Sequence, residues 1–221
     1  LAHGLDALDP EIRVLDQSRI GPILCGDEAA LLGGPPVHAM IMQNANSANV
    51  APDSRAVRQG LTREDLFVCV HEQFMTATAR CADIVLPAAM SFEYDDMYYG
   101  LGHTALTIGP ALLDRYAQCR TNHEVVCGLA KRLGARHPGF EMSAWELMDA
   151  TLRASGLGGA DEAAERGFVE RGPDFEGGHF LSGFPTDDGR FRFKPDWAAL
   201  GPFHAGMPDV PDYWDSVESA D

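Results

Sequence analysis

Apolar positions along the chain fall in short bursts divided by polar loops. Val37-His38-Ala39-Met40-Ile41-Met42 follows the breaker Gly33-Gly34-Pro35-Pro36 and reads as a buried strand. It gives way to a loop dense in side-chain amides, Gln43-Asn44-Ala45-Asn46-Ser47-Ala48-Asn49. Pro52-Asp53 opens a short helix that runs through Arg58, with Gly60 placed to stop it. A second apolar burst at residues 66–70 ends in the polar stretch His71-Glu72-Gln73. Residues 76–82 have helical character, and Asp83-Ile84-Val85-Leu86-Pro87 is a third short strand stopped by proline. Strands and helices alternating with short connections predict an α/β fold: a parallel sheet flanked by helices on both faces, Rossmann-like and three-layered, with right-handed crossovers.

Farther along, Thr121-Asn122-His123-Glu124 has the spacing of a capping box, and Val125, Val126, Leu129, Ala130 and Leu133 fall on one face of the helix it starts, with Gly134 to end it. Ser143-Ala144-Trp145-Glu146 repeats the device, with Trp145, Met148 and Leu152 as the buried stripe. Beyond Gly156 the chain turns rich in Gly and Asp. From Asp174 onward it carries ten acids against three bases and one alternating strand candidate, Arg190-Phe191-Arg192-Phe193. The expected organisation is a lead-in segment over residues 1–36, an α/β lobe over 37–156, and an irregular, extended acidic segment over 157–221 with one short strand.

Charge and cysteine usage narrow the function classes. A formal net charge of −16 disfavours non-specific nucleic-acid binding and anionic membrane surfaces, both of which need basic patches. No apolar run approaches the roughly 20 residues of a membrane span, and no basic-then-apolar leader opens the chain. A cytoplasmic location is expected, or a periplasmic one where an export signal precedes these residues. The five cysteines form no C-x-x-C pair, which gives no support to a disulfide framework, a zinc ribbon or an iron–sulfur site. The start at Leu1 in loop-like sequence is read as part of something longer, or processed.

Several chemistries lack their motif. There is no G-x-G-x-x-G after a strand, no P-loop and no G-x-S-x-G elbow, and His71-Glu72 begins H-E-x-x-H only to meet Met75. The carboxylate cluster Glu93, Asp95 and Asp96 reads either as a metal- or proton-sharing site or as a solvated loop face. What remains is positional. Ligands of open parallel sheets bind outside the carboxyl ends of the strands. Those ends carry Asn44 and Asn46 after the first strand and Glu72 and Gln73 after the second. Such groups suit nucleobase edges and ribose hydroxyls, although Asn and Asp also populate loops for their turn geometry alone.

The blocks of this region together resemble the molybdopterin oxidoreductases, the dimethyl-sulfoxide reductase and formate dehydrogenase superfamily. Residues 43–53 are similar to its N-x-N-P-x-x-x-x-P-D loop, with Ser47 where proline is usual. Phe74-Met75-Thr76-Ala77-Thr78-Ala79 and Ala82-Asp83-Ile84-Val85-Leu86-Pro87-Ala88 resemble F-x-T-x-T-A and A-D-x-V-L-P-A. Glu93, Asp95 and Asp96 with Gly102-His103, the stretch from Arg120 to Gly134, and residues 184–191 resemble later blocks in the expected order.

The resemblance implies a molybdopterin guanine dinucleotide carrying molybdenum or tungsten, with two-electron chemistry at the metal in the full-length enzyme. An iron–sulfur cluster is expected upstream in such enzymes, outside this chain. The remaining domains of the same polypeptide become the expected partners, alongside a small-molecule substrate that the sequence leaves unknown, and this portion alone is expected to be inactive. Carried over residue by residue, Asn44 and Asn46 would contact the dinucleotide, Glu72 and Gln73 would meet ribose or base, Thr76 and Thr78 would bond phosphate or hold a helix start, and Asp96 would accept from guanine N1 and N2. Asp83 is expected to be structural. The rival readings are a non-catalytic acidic α/β interaction domain and a nicotinamide-dependent lobe, the latter disfavoured by the missing glycine fingerprint.

Overall fold

The computed structural model describes residues 12–200, 204, 207–210 and 212. Its first half is built on α1 (Ile20–Leu24), β1 (Ala39–Gln43), α2 (Ser47–Val50), α3 (Ser54–Leu61), β2 (Phe67–Glu72) and β3 (Ile84–Pro87). The strands form the expected parallel sheet in the order β1-β2-β3, in register at Ile41, Cys69 and Ile84. Side chains alternate across it. Met42, Val68 and Val70 point to one face and are buried with Ile20, Leu24, Ala48, Val57, Leu61 and Ala79. Asp83 is structural as expected: its carboxylate accepts the Val68 N–H at 2.7 Å, locking the entry of β3 to β2. The core thus draws on Ile20 and Leu24 of the lead-in segment, so the boundary expected at residue 36 does not divide it.

Two local expectations need correction. Gly60 does not stop α3, which Asp53 caps and which runs on to Leu61. Gly60 is where α1 and α3 meet: a Cβ there would lie 2.3 Å from Leu24 Cβ, so hydrogen alone fits. Residues 76–82 form no α-helix but a turn and one 3-10 turn, Ala79–Cys81. The Thr76 hydroxyl accepts the Ala79 N–H, a bond that competes with a helical ladder, while the Thr78 hydroxyl is drawn away to Asn46 in the loop after β1.

The second half contains a sheet absent from the sequence reading. β4 (Asp96–Tyr99) and β5 (Ala105–Gly109) are antiparallel, turning at Gly102 with φ +91°, and β5 pairs in turn with β6 (Val169–Glu170). Leu106, Ile108 and Val169 pack with α5 (Ala144–Ala154) and α6 (Ala160–Arg166) through Leu152, Ala160 and Ala163. β6 draws residues 169–170 into this core, which departs from the boundary expected at 156. The short strand expected at Arg190–Phe193 does not form; Phe184, Phe191 and Phe193 instead make a chain of ring contacts at 5.2 and 4.9 Å. The remaining helices are α4 (Asn122–Leu133) and α7 (Phe175–Gly178). Both expected capping boxes are present, at Thr121/Glu124 and Ser143/Glu146. The apolar stripe of α4 is not covered as expected: Ala130 is buried, but Val126 and Leu133 are exposed.

Alanine at position 60 tests the helix contact. Intrinsic propensity favours Gly60→Ala by roughly 1 kcal/mol, whereas overlap with Leu24 costs about 1–3 kcal/mol. Urea unfolding is expected to show net destabilisation; a more stable variant would mean that α1 yields without cost.

Candidate functional site

The carboxyl ends of β1, β2 and β3 lie side by side, as parallel pairing requires. Asn44 leaves β1 with φ +50° and its N–H donates to the His71 carbonyl, which holds the first loop against the second strand. Its side chain is exposed and has no hydrogen-bond partner among the described residues. Glu72 ends β2; one carboxylate oxygen accepts the Gln73 N–H at 2.7 Å. The Gln73 amide donates to the Ala89 carbonyl at 2.9 Å, spanning to the chain beyond β3. Thr76 Oγ1 accepts the Ala79 N–H at 3.1 Å and so braces the 3-10 turn.

Asn46 and Thr78 play a different part. Thr78 is fully buried, and its hydroxyl donates to Asn46 Oδ1 at 3.0 Å while accepting the Ala48 N–H at 3.0 Å. The Thr78 N–H also donates to Asn46 Oδ1 at 3.3 Å. These two residues clasp the loop after β1 to the loop after β2. Asn44, Glu72, Gln73 and Thr76 therefore present groups to the edge, while Asn46 and Thr78 hold the edge in shape.

Asp96 stands apart from that edge. It opens β4 and lines a cleft of about 410 Å³ with Tyr94, Asn122, His123, Leu147 and Thr151. One oxygen accepts the Met97 N–H at 2.8 Å. Burial pushes the carboxyl above its usual range, and that hydrogen bond only partly offsets it. The link between cleft and edge is His71, which sequence reasoning treated only as the start of a broken metal motif. Its ring is fully buried: Nε2 donates to the Arg120 carbonyl at 3.0 Å, and Nδ1 lies 3.1 Å from the Asn122 side-chain amide and 3.5 Å from that of Gln43. A polar ring inside an apolar strand was the available signal.

Beside the cleft, Cys127 Sγ lies 3.6 Å from His123 Nε2, but burial and then the nearby Glu141 push the thiol up, a direction that disfavours the thiolate. Burial raises the Glu124 carboxyl, yet the Arg115 guanidinium and the Thr121 N–H hold it below its usual range, keeping the start of α4 capped. Among the described residues no group of three or more His, Cys, Asp and Glu could hold a metal, and no helix is long and apolar enough to cross a membrane.

With this geometry in view, the likeness to known proteins is specific. The molybdopterin oxidoreductase family model matches residues 28–132, a stretch containing all seven candidate site residues. The chain is 43% identical over 100 residues to the "Probable oxidoreductase YoaE" of Bacillus subtilis, covering 45% of this chain and 15% of that protein. It is 31% identical over 124 residues to the periplasmic nitrate reductase of Desulfovibrio desulfuricans, covering 54% and 16%. Acetylene hydratase from Pelobacter acetylenicus shares the fold with a TM-score of 0.68 at 20% identity, over 89% of this chain and 26% of that one. The likeness over residues 28–132, just under half of the chain, is to the molybdopterin oxidoreductases. The chain spans about a sixth of the length of these two curated relatives.

Two substitutions separate clasp from contact. Asn46→Ala strips Thr78 of its buried acceptor and is expected to destabilise the protein by about 1–3 kcal/mol; Asn44→Gly, which removes the side chain while suiting its φ of +50°, is expected to leave the thermal midpoint nearly unchanged. Equal stability of both variants would remove the distinction.

Asp96 gives a pH test. Its folded-state pKa is raised, so the ionised group costs stability at pH values above that pKa, and the cost is relieved as pH falls through it. Asp96→Asn in cofactor-free protein is therefore expected to raise the thermal midpoint at neutral pH, with the gain shrinking toward about pH 4. A lower midpoint at neutral pH would contradict the assignment.

Proposed function

We propose that this chain supplies the nucleotide-gripping α/β portion of a larger molybdopterin-dependent oxidoreductase, in which it binds a pterin guanine dinucleotide of the molybdenum or tungsten cofactor. The observation that carries the reading is the row of side chains at the three parallel strand ends, inside the stretch that matches the family.

The donor set fits such a group. Glu72 keeps an oxygen beyond its bond to Gln73, Gln73 keeps its amide oxygen, and Asn44 keeps both ends of its amide, a set that matches ribose hydroxyls and a base edge. The Asn46–Thr78 clasp gives this edge its shape before any ligand arrives. Asp96, half-buried and short of partners, suits the adjacent N1–H and N2–H donors of guanine, whose two bonds would compensate for its desolvation. The Thr76 hydroxyl retains a proton to donate to a phosphate oxygen. The cofactor when bound supplies two-electron redox chemistry at its metal; this chain's residues bind, orient and shield it. The iron–sulfur relay and the other domains belong to the same reading of the full-length polypeptide, whose location in cytoplasm or periplasm follows from its leader.

The test is made on the full-length polypeptide. Wild type is expected to co-purify with pterin, guanine nucleotide and molybdenum or tungsten. Glu72→Ala and Asp96→Asn are each expected to lower retained guanine nucleotide by about 10- to 100-fold after dialysis, consistent with loss of a charge-assisted bond. Full nucleotide retention in Asp96→Asn would return that residue to a solvent-facing role. A wild-type protein free of pterin would overturn the function and favour the acidic interaction domain.

A further inference from the structure

His71 is fully buried, and the binding scheme above makes no use of its ring. Its neighbours leave a choice that chemistry settles. Nε2 faces the Arg120 carbonyl at 3.0 Å, an oxygen that can only accept, so Nε2 carries a proton. Nδ1 faces two side-chain amides, Asn122 Oδ1 at 3.1 Å and Gln43 Nε2 at 3.5 Å. The oxygen asks Nδ1 for a proton, whereas the nitrogen offers it one.

Two states resolve the conflict. A doubly protonated ring donates to Asn122 Oδ1 as well as to Arg120, and the Gln43 amide turns over. A neutral ring accepts from Gln43, and the Asn122 amide turns over so that its Nδ2 donates to Nδ1. An amide keeps its shape when oxygen and nitrogen exchange places, so hydrogen bonding alone decides between them. The first state seals a positive charge from water, and no carboxylate bonds to His71 among the described residues. Burying an unpaired charge costs far more than turning the amide of an exposed asparagine. The neutral ring prevails, and Asn122 keeps Oδ1 free of it.

Asn122 lines the cleft that holds Asp96. Other polar side chains there are already engaged. The Thr151 hydroxyl donates to the Leu147 carbonyl at 2.7 Å, His123 Nε2 donates to the Met142 carbonyl at 2.8 Å, and Thr121 Oγ1 caps α4. Asp96 keeps one oxygen without a partner among the described residues, and the turned Asn122 adds an amide oxygen. Such a cleft offers acceptors and suits a ligand with a row of N–H donors. Guanine carries that row on N1 and N2. Hypoxanthine lacks the N2 amino group, and adenine presents an acceptor at N1.

We propose that Asn122 is a specificity residue for the exocyclic amino group of guanine and that His71, by accepting at Nδ1, is the residue that positions it. Asp96 takes N1–H and one N2–H, and Asn122 Oδ1 takes the second N2–H. This rests on the guanine reading of the cleft given above and carries it from affinity to discrimination.

Guanosine and inosine diphosphates (GDP and IDP) differ only in the N2 amino group, and the full-length polypeptide stripped of cofactor serves as receptor. Wild type is expected to bind GDP about 10- to 100-fold more tightly than IDP. Asn122→Ala leaves the Thr121 cap in place and is expected to weaken GDP about 10-fold without changing IDP. His71→Leu is expected to lower the ratio of the two affinities in the same way, whereas loss of a purely structural histidine would weaken both nucleotides together. A wild-type ratio in Asn122→Ala would overturn the proposal. Nitrogen NMR of labelled histidine in wild type depends on no variant: His71 is expected to be protonated at Nε2 alone, and a ring protonated at both nitrogens would overturn the orientation of Asn122. Equal binding of GDP and IDP by a protein that purifies with guanine nucleotide would overturn this inference while leaving the cofactor reading intact. Binding of neither, in a protein that purifies without pterin, would overturn the function itself.

Discussion

A histidine ring sealed from water must find protein partners for both nitrogens, or leave a buried polar atom unsatisfied at a cost of about 1–3 kcal/mol. At position 71 those partners come from residues 49 and 51 positions later in sequence, Arg120 and Asn122. That requirement ties the carboxyl end of β2 to the first turn of α4. It fixes where the Thr121 cap stands, hence the wall of the cleft that holds Asp96, and it draws Arg120 onto the edge of β3. One imidazole thereby joins the strand ends to the wall of the cleft.

The legible part of the fold was the part governed by local alternation. Three apolar bursts, each followed by a polar loop, are enough to specify parallel strands, since such strands cannot be joined by tight turns. The capping boxes were equally readable, because reciprocal bonding is set by residues three apart. The β4–β5–β6 sheet was not: its strands are four, five and two residues long, and β6 joins from some sixty residues away, a pairing that no local pattern encodes. Gly60 shows the same limit in miniature. Its role depends on Leu24, thirty-six positions earlier, so the sequence offered only a helix stop.

The site divided along similar lines. Residue types and strand ends were enough to place Asn44, Glu72 and Gln73 along the carboxyl edge of the parallel sheet. The difference between presenting a group and holding a loop did not appear in the sequence, where Asn44 and Asn46 look alike. Nor did the place of Asp96, whose distance from the strand-end row follows from a hairpin that the pattern did not reveal. The likeness to molybdopterin oxidoreductases over residues 28–132 and the fold shared with acetylene hydratase extend that reading, over a chain that represents a modest share of either kind of relative.

The clasp between Asn46 and Thr78 also constrains how this sequence can drift. Each residue satisfies buried groups on the other loop, so a change at one position strands polar atoms that the other was meeting. Thr78→Val would leave the Ala48 N–H unsatisfied and Asn46 Oδ1 with only the Thr78 N–H, and Asn46→Ala would leave the Thr78 hydroxyl without its acceptor. Neither route has an easy intermediate. Positions 46 and 78 are therefore bound to vary together or not at all, while Asn44, two residues away and facing outward, answers only to the few residue types that suit its φ of +50°.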